Sequence, residues 1–280
     1  MQLSLTNSPV FFVWSINLTS LFHIHFHSRY GGNSKPEERE EAKKKGFTIE
    51  KIKSLHRMIF NSISKWEKAY QFNKHWKGYY ENDIESPEYL DAKEGTIRKW
   101  LEMIKPKSVI DLGANTGKFS LLAAQYAERV IALEGDYECV DSIENNRNNI
   151  FTLVGDLAKP SPALGILNCE TESIYKRGNS EMVLGLALIH HLHFTNKISF
   201  AQISEIVNQF SNSYAILEFI NNDDKKFQLL IGDMNTISVN YNENSFLKSM
   251  NKYFTLVDSK KLANSCRVLY LLKKRLNEIH

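Results

Sequence analysis

Residues 108–126 constrain the fold more than any other part of the chain. A short apolar run at 108–112 (SVIDL) leads into a turn with two glycines at 113–117 (GANTG). From residue 119 to 126, apolar residues recur at helical spacing. A buried strand, a glycine turn and a helix in this order predict the nucleotide-binding half of a parallel α/β sheet, because glycine lets the backbone turn sharply and approach a ligand closely.

Acidic residues stand at the ends of three successive predicted strands. Asp111 lies in the first strand, Glu134 closes the second at 129–133, and Asp156 follows the third at 151–154. The carboxyl ends of parallel strands meet at one edge of the sheet, where ligands of open α/β sheets bind. At that edge, Glu134 is placed to accept hydrogen bonds from ribose hydroxyls. Asp156 is placed to reach an adenine amino group.

The residues in and before the glycine turn indicate which nucleotide-type cofactor the chain binds. Asn115 stands where a dinucleotide fingerprint has its middle glycine, and Asp111 would repel a pyrophosphate. The same carboxylate suits the ammonium and sulfonium of S-adenosylmethionine, so we expect that cofactor rather than NAD. A P-loop is excluded because no Gly-Lys-Ser/Thr follows at the required spacing.

Several strings resemble a known family. Residues 111–117 (DLGANTG) resemble motif I of the class I S-adenosylmethionine-dependent methyltransferases. The resemblance is closest to a bacterial group that includes nodulation-associated methyltransferase-like proteins of rhizobia, and it covers about residues 20–273. It is carried by the strings at 156–157 (DL), 160–165 (PSPALG), 186–192 (LALIHHL) and 217–219 (LEF), with Trp-x-Gly-x-Tyr at 76–80 ahead of the domain.

This resemblance implies an α/β, Rossmann-like fold. The sheet should have seven mostly parallel strands in the order 3-2-1-4-5-7-6, with helices on both faces and a mostly helical amino-terminal extension. Members of the group tend to be longer, so we expect residues 1–34 to be the remnant of an amino-terminal region. We expect residues 35–80 to form a charged linker and an amphipathic helix, and residues 81–280 to form the methyltransferase domain.

The candidate site residues follow from these positions. A histidine pair, His190 and His191, ends the predicted fourth strand at 182–188, where one of them is placed to take a proton from a hydroxyl acceptor or to shape the pocket. Glu218, within the predicted fifth strand at 214–220, is a candidate catalytic residue or the partner of a nearby base. We assign to the cofactor Asp111, Gly113, Ala114, Asn115, Gly117, Glu134, Gly135, Asp156, Leu157 and Ala187, together with Tyr80 and Lys93, which precede the first strand.

The expected function is methyl transfer from S-adenosylmethionine to the oxygen or nitrogen of a small-molecule or glycan-type acceptor. The alternatives are a non-catalytic module that binds cofactor or a partner, and an NAD-dependent oxidoreductase, against which Asn115 argues. A separate protein supplying an amino-terminal half is a further possible partner.

The composition of the chain argues against several other classes of protein. A formal net charge of +3 is too small for a dedicated nucleic-acid binder, and three widely separated cysteines indicate a reducing, cytoplasmic compartment. The uncharged segment 1–28 is too interrupted by polar residues for a signal peptide or membrane helix, so we expect neither. His23, His25 and His27 alternate with apolar residues, which favours a half-exposed strand over a zinc site. We therefore expect no metal.

Overall fold

A computed structural model of the chain describes residues 49–69, 86–143, 148–224, 227–228 and 241–275. The chain divides into two compact units, residues 1–73 and 74–280. The described part of the first unit is helix α1, Ile49–Ala69, where the apolar spacing predicts a helix. The predicted boundaries at 34/35 and 80/81 lie outside the described residues and stay predictions, and the histidines at 23, 25 and 27 also lie outside them.

The second unit is built on a seven-stranded sheet in the order β3-β2-β1-β4-β5-β7-β6. Strands β1 to β5 run parallel, and β7 is antiparallel to both of its neighbours. The predicted strand order and fold class are therefore confirmed. The strands are β1 Ser108–Leu112, β2 Arg129–Glu134, β3 Ile150–Val154, β4 Ser180–Gly185, β5 Ser211–Ile220, β6 Phe254–Lys261 and β7 Arg267–Lys274.

Helices connect these strands. They are α2 Pro87–Ile104, α3 Lys118–Ala123, α4 Tyr137–Ser142, α5 Ile174–Gly178, α6 Phe200–Phe210 and α7 Glu243–Met250, with a short 3-10 helix at Ile166–Asn168 and a π-helix at His191–Thr195. Helix α6 begins where Ser199 and Gln202 form a capping box, each side chain accepting from the other residue's backbone N–H.

The sheet is covered on both faces, because successive residues of a strand point to opposite sides. Along β2, Val130 and Ala132 belong to one buried cluster, and Ile131 and Leu133 to the other. The first cluster includes apolar residues of α2 and α3, and the second includes those of α5, α6 and α7. Two separate cores with the sheet between them are what a doubly covered α/β sheet requires.

Strand β4 is shorter than its sequence predicts. The apolar run from Met182 to Leu188 predicts a continuous strand, yet the strand ends at Gly185. The reason lies in the backbone of Ala187, whose φ of 51° is left-handed and incompatible with extended structure. The chain therefore leaves the sheet three residues early and turns toward the π-helix that begins at His191.

No helix among the described residues is both long enough and apolar enough to span a membrane.

Candidate functional site

A cavity of about 300 Å³ lies at the carboxyl ends of strands β1 to β4. This is the edge where the sequence predicts a ligand, and it is the position at which open α/β sheets bind nucleotides. The residues lining it are Gly113, Asn115, Leu133, Glu134, Gly135, Gly155, Asp156, Leu157, Leu186, Ala187, Leu188, His191, Leu192, Thr195 and Asn196.

The glycine turn forms one wall and needs its glycines. Gly113 and Gly117 have φ values of 73° and 82°, in the left-handed region. A Cβ on Gly117 would also lie 2.9 Å from the side chain of Ile143. Asn115 lies between them with a φ of 50°, which asparagine tolerates better than most residues. The N–H groups of Gly113 and Ala114 both donate to the carbonyl of Leu133, which ties the turn to β2.

Glu134 joins two loops at the end of β2. One carboxylate oxygen accepts from the backbone N–H of Asn115 at 2.8 Å, and the other accepts from Gly135 and Asp136 at 2.7 and 3.0 Å. The carboxylate therefore fixes the glycine turn against the turn that follows β2. With three amides bound, Glu134 has fewer free acceptor sites for ribose hydroxyls than the sequence suggests.

Asp156 lies across the cavity, just after β3. Its Oδ1 accepts from the backbone N–H of Ala158 at 2.8 Å, which orients the side chain in an Asx-turn. The residue is exposed, and its neighbour Leu157 is buried although it lines the cavity. Asp156 thus presents a fixed carboxylate, and Leu157 an apolar surface, to the same space.

Asp111 does not line this cavity in the structure. It is 2% exposed and accepts a hydrogen bond of 2.7 Å from the hydroxyl of Ser120 in α3. Burial, and to a lesser extent the negative charge of Glu134, raise the pKa of Asp111 to about 6 against the opposing effects of Ser120 and Lys93. Ala114 and Gly117, also assigned to the cofactor, shape the turn without lining the cavity.

The two histidines that follow β4, His190 and His191, have different surroundings. His191 lines the cavity, whereas His190 is buried and does not. Their rings are 4.0 Å apart between centroids, and His190 also contacts Phe227 edge-on. Burial, with a smaller contribution from the positive charge of Arg267, lowers the pKa of both imidazoles, that of His191 to about 4. Both side chains are therefore neutral at pH 7.

Lys93 and Glu218 are brought together, away from the cavity wall. Lys93 Nζ lies 2.7 Å from a Glu218 carboxylate oxygen, and both side chains are almost fully buried. Tyr89 donates to Glu218, and Arg267 lies between Glu218 and Asp224, with Nε 2.9 Å from the latter. Burial raises the pKa of Glu218, but the charges of Lys93 and Arg267 and the hydrogen bonds from Lys93 and Tyr89 outweigh it and leave that pKa low.

This arrangement bears on two of the assignments made from sequence. Lys93 is predicted to meet the cofactor carboxylate, and in the structure its ammonium binds Glu218. Glu218 is predicted to be either catalytic or paired with a base, and the structure shows the pair. Tyr80 lies outside the described residues. No group of three or more His, Cys, Asp and Glu in the described part of the chain is placed to hold a metal ion.

Seven of the twelve residues assigned to the cofactor line this one cavity. They are Gly113, Asn115, Glu134, Gly135, Asp156, Leu157 and Ala187. Sequence reasoning missed seven other lining residues, of which Leu133, Gly155, Leu186 and Leu188 adjoin strand ends. Thr195 and Asn196 reach the cavity only because a π-helix begins at His191, which nothing in the sequence signals.

The chain is similar in sequence to a curated nodulation protein. No protein-family model matches the chain. Nodulation protein NoeA of Rhizobium meliloti is 27% identical over 205 residues, which are 71% of this chain and 43% of that protein. The chain thus spans less than half the length of this curated relative. The expected resemblance to nodulation-associated proteins is confirmed.

Solved structures show the same fold. The N-methyltransferase NodS of Bradyrhizobium japonicum, in complex with S-adenosylhomocysteine, matches with a TM-score of 0.51 at 8% identity, covering 76% of this chain and 98% of that one. The magnesium protoporphyrin IX methyltransferase ChlM of Synechocystis, with bound S-adenosylhomocysteine, matches with a TM-score of 0.50 at 14% identity, covering 71% and 92%. The chain therefore has the class I methyltransferase fold.

Proposed function

Because the chain has the class I methyltransferase fold, we propose that it binds S-adenosylmethionine in the cavity and transfers the methyl group to a small-molecule or glycan-type acceptor. The observation that carries this proposal is the convergence of Gly113, Glu134 and Asp156 on one cavity from three successive strand ends. A chance glycine turn would not place both carboxylates around the same space.

Each half of the cofactor has a matching part of the site. The adenosine would lie between Glu134 and Asp156, with the adenine ring against Leu157 and the ribose hydroxyls near Glu134. The cofactor's sulfonium would lie near the glycine turn, on the side toward Asp111. An ionised Asp111 close to that turn favours a cationic cofactor over a pyrophosphate.

The chemistry needs little from the protein beyond placement. S-adenosylmethionine supplies an activated methyl group on a sulfonium, which leaves as a neutral thioether when a nucleophile attacks in line. The protein orients the acceptor, excludes water and holds the reacting atoms within reach. His191, at the start of the π-helix after β4, is the described residue best placed to face the acceptor, while His190 packs behind it.

The alternative to methyl transfer is a module that binds cofactor or a partner without catalysis. Cofactor binding alone does not distinguish the two, so turnover must be measured as well.

Isothermal titration calorimetry with S-adenosylhomocysteine tests cofactor binding. We expect saturable binding and no heat with NADH at the same concentration. Glu134→Gln should weaken binding by about 10- to 150-fold, since a hydrogen bond to a charged group contributes about 1.5–3 kcal/mol. The matched control is Glu128→Gln, because this exposed acid precedes the opposite end of β2. Absence of heat at millimolar ligand, or an equal loss in both variants, would refute the proposal.

A further inference from the structure

A second cavity, of about 360 Å³, forms a groove between the last turn of helix α7 and strand β6. The lining of this β6 groove is apolar apart from Lys248 and Asn251, and it includes Met250, Phe254 and Leu256. Strand β6 is antiparallel to β7, which is antiparallel to β5, so β6 points the same way as β1 to β5. The groove lies beside the first residues of β6, whereas the cavity proposed for the cofactor lies at the carboxyl ends of β1 to β4. The two sites are therefore separate.

Strand β6 is the last strand of the sheet, so one side of its backbone has no neighbouring strand in the described part of the chain. Seven of its eight residues are exposed, and Leu256 and Val257 are 48% and 50% exposed although both are apolar. An open edge of this kind presents backbone N–H and C=O groups with which a further extended chain can form hydrogen bonds. Alternate side chains of an added strand point to the same face as Phe254 and Leu256, so they would reach the groove.

The surface around β6 is strongly basic. Residues 241–275 contain eight lysines and arginines against two acids, whereas the whole chain has a formal net charge of only +3. Both acids are already engaged, since Asp258 accepts from Trp100 and Glu243 accepts from Tyr270. Six of the cations are exposed, and no salt bridge joins them to a carboxylate of the described residues. They are Lys248, Lys252, Lys260, Lys261, Lys273 and Arg275.

These cations lie along β6 and around its groove. Lys248 lines the groove, and the Nε of Arg275 donates to the backbone carbonyl of Asn251, another lining residue, at 3.0 Å. Lys260 and Lys261 are the last two residues of β6. A ligand that covers this strand therefore meets positive charge at both ends and an apolar floor beside it. Such a surface attracts a ligand that is both apolar and negatively charged.

Three classes of anionic ligand differ in how well they fit an open strand edge. The hydrocarbon of a lipid bilayer offers no partners for the backbone N–H and C=O groups of the edge. A single-stranded nucleic acid is usually held by aromatic side chains on which its bases stack, and the aromatic residue that lines the groove, Phe254, is 1% exposed. An extended peptide can bond the backbone edge, place apolar side chains in the groove and present carboxylates to the cations.

We propose that β6 and the β6 groove bind an extended acidic segment of a partner protein, which adds to the sheet as an eighth strand. Apolar side chains of the segment fill the groove, and its carboxylates lie against the exposed cations. The site is independent of the cofactor cavity, so this inference goes beyond the proposed methyltransferase function and does not depend on it.

Fluorescence anisotropy with a labelled octapeptide of alternating Glu and Val, added to the full chain, tests this site. We expect saturable binding, and binding at least about tenfold weaker for the same peptide with Lys in place of Glu, because the surface is positive. Hydrogen-exchange mass spectrometry should then show that the bound Glu–Val peptide protects the amides of 254–261. Equal affinity for the two peptides, or unchanged exchange in β6, would overturn the inference. Binding of phosphatidylglycerol vesicles or poly(U) RNA without binding of the Glu–Val peptide would also overturn it.

Two variants separate the charge of the surface from its apolar groove. Lys260→Glu combined with Lys261→Glu should weaken binding of the Glu–Val peptide at least about tenfold, since like charges then face each other. Leu256→Ser leaves the charge unchanged and should weaken binding at least about threefold, because it removes apolar contact area. The control is Lys53→Glu combined with Arg57→Glu, which changes the net charge equally on exposed residues of α1 and should leave the affinity unchanged. An equal loss in the control, or full binding by both β6 variants, would overturn the inference.

Discussion

Replacing Glu218 by glutamine should destabilise the protein strongly, because Glu218 is the shared partner of a buried charge cluster. Its carboxylate accepts from Lys93 at 2.7 Å and from Tyr89, and it lies 3.9 Å from Arg267. A glutamine of the same shape still accepts from Tyr89. Its amide N–H₂ group, however, faces the Lys93 ammonium, so two donors oppose each other and a buried cation loses its counter-charge.

The expected cost is about 3–5 kcal/mol, the range for breaking a buried ion pair by removing one partner. That is a large share of the roughly 5–15 kcal/mol by which domains are stable. With a urea m value of about 2 kcal/mol per molar, the unfolding midpoint should fall by about 1.5–2.5 M. Circular dichroism during urea titration measures this shift.

Two further variants make the result specific. The double variant Lys93→Met with Glu218→Gln should cost less than the sum of the single variants by at least about 1 kcal/mol, since contacting residues couple. Glu94→Gln on the same helix α2 is the control, because its pair with Arg98 is about one-third exposed and should contribute less than about 0.5 kcal/mol. A cost below 1 kcal/mol for Glu218→Gln, or strict additivity, would refute a structural role for Glu218.

Two other predictions use backbone geometry and pH. Gly117→Ala should destabilise by at least about 1–2 kcal/mol, because φ is 82° and the new Cβ would meet Ile143. Gly95→Ala is the control, because Gly95 is exposed on α2 and its new Cβ would meet no other atom. It should stabilise the protein by about 0.5–1 kcal/mol in the same urea assay, since alanine favours helix more than glycine does. Free-energy changes of the same sign in both variants would contradict this reasoning. The pKa of Asp111 is raised from 3.8 to about 6 by folding, so its contribution to stability is full below pH 3.8 and is lost as pH rises to about 6. Relative to Asp111→Asn, the wild type should therefore lose about 2–2.5 kcal/mol between pH 4 and pH 7, and parallel pH profiles would show that Asp111 is not perturbed.

Local patterns in the sequence are enough to predict a parallel α/β sheet, because short apolar strands alternate with helices around the glycine turn at 113–117. The order of the strands is implied by the resemblance to class I methyltransferases, and the structure shows that order. The acids Glu134 and Asp156 can be placed at one edge because parallel strands put their carboxyl ends together. The placement of these acids uses only neighbouring residues and the topology of the fold.

Long-range pairing is harder to foresee. Lys93 and Glu218 are 125 residues apart, and no periodicity in the chain indicates that they meet. The early end of β4 depends on the left-handed backbone of Ala187, an alanine that looks like part of the strand. The π-helix that brings Thr195 and Asn196 to the cavity also has no pattern in the local sequence that predicts it.

A crystal structure of the full chain with S-adenosylhomocysteine would show where the cofactor binds. We predict the adenosine in the cavity at the ends of β1 to β4, with its ribose beside Glu134, its adenine against Leu157 and its sulfur near the glycine turn. A ligand bound elsewhere, or a cavity that stays empty at saturating ligand, would contradict it.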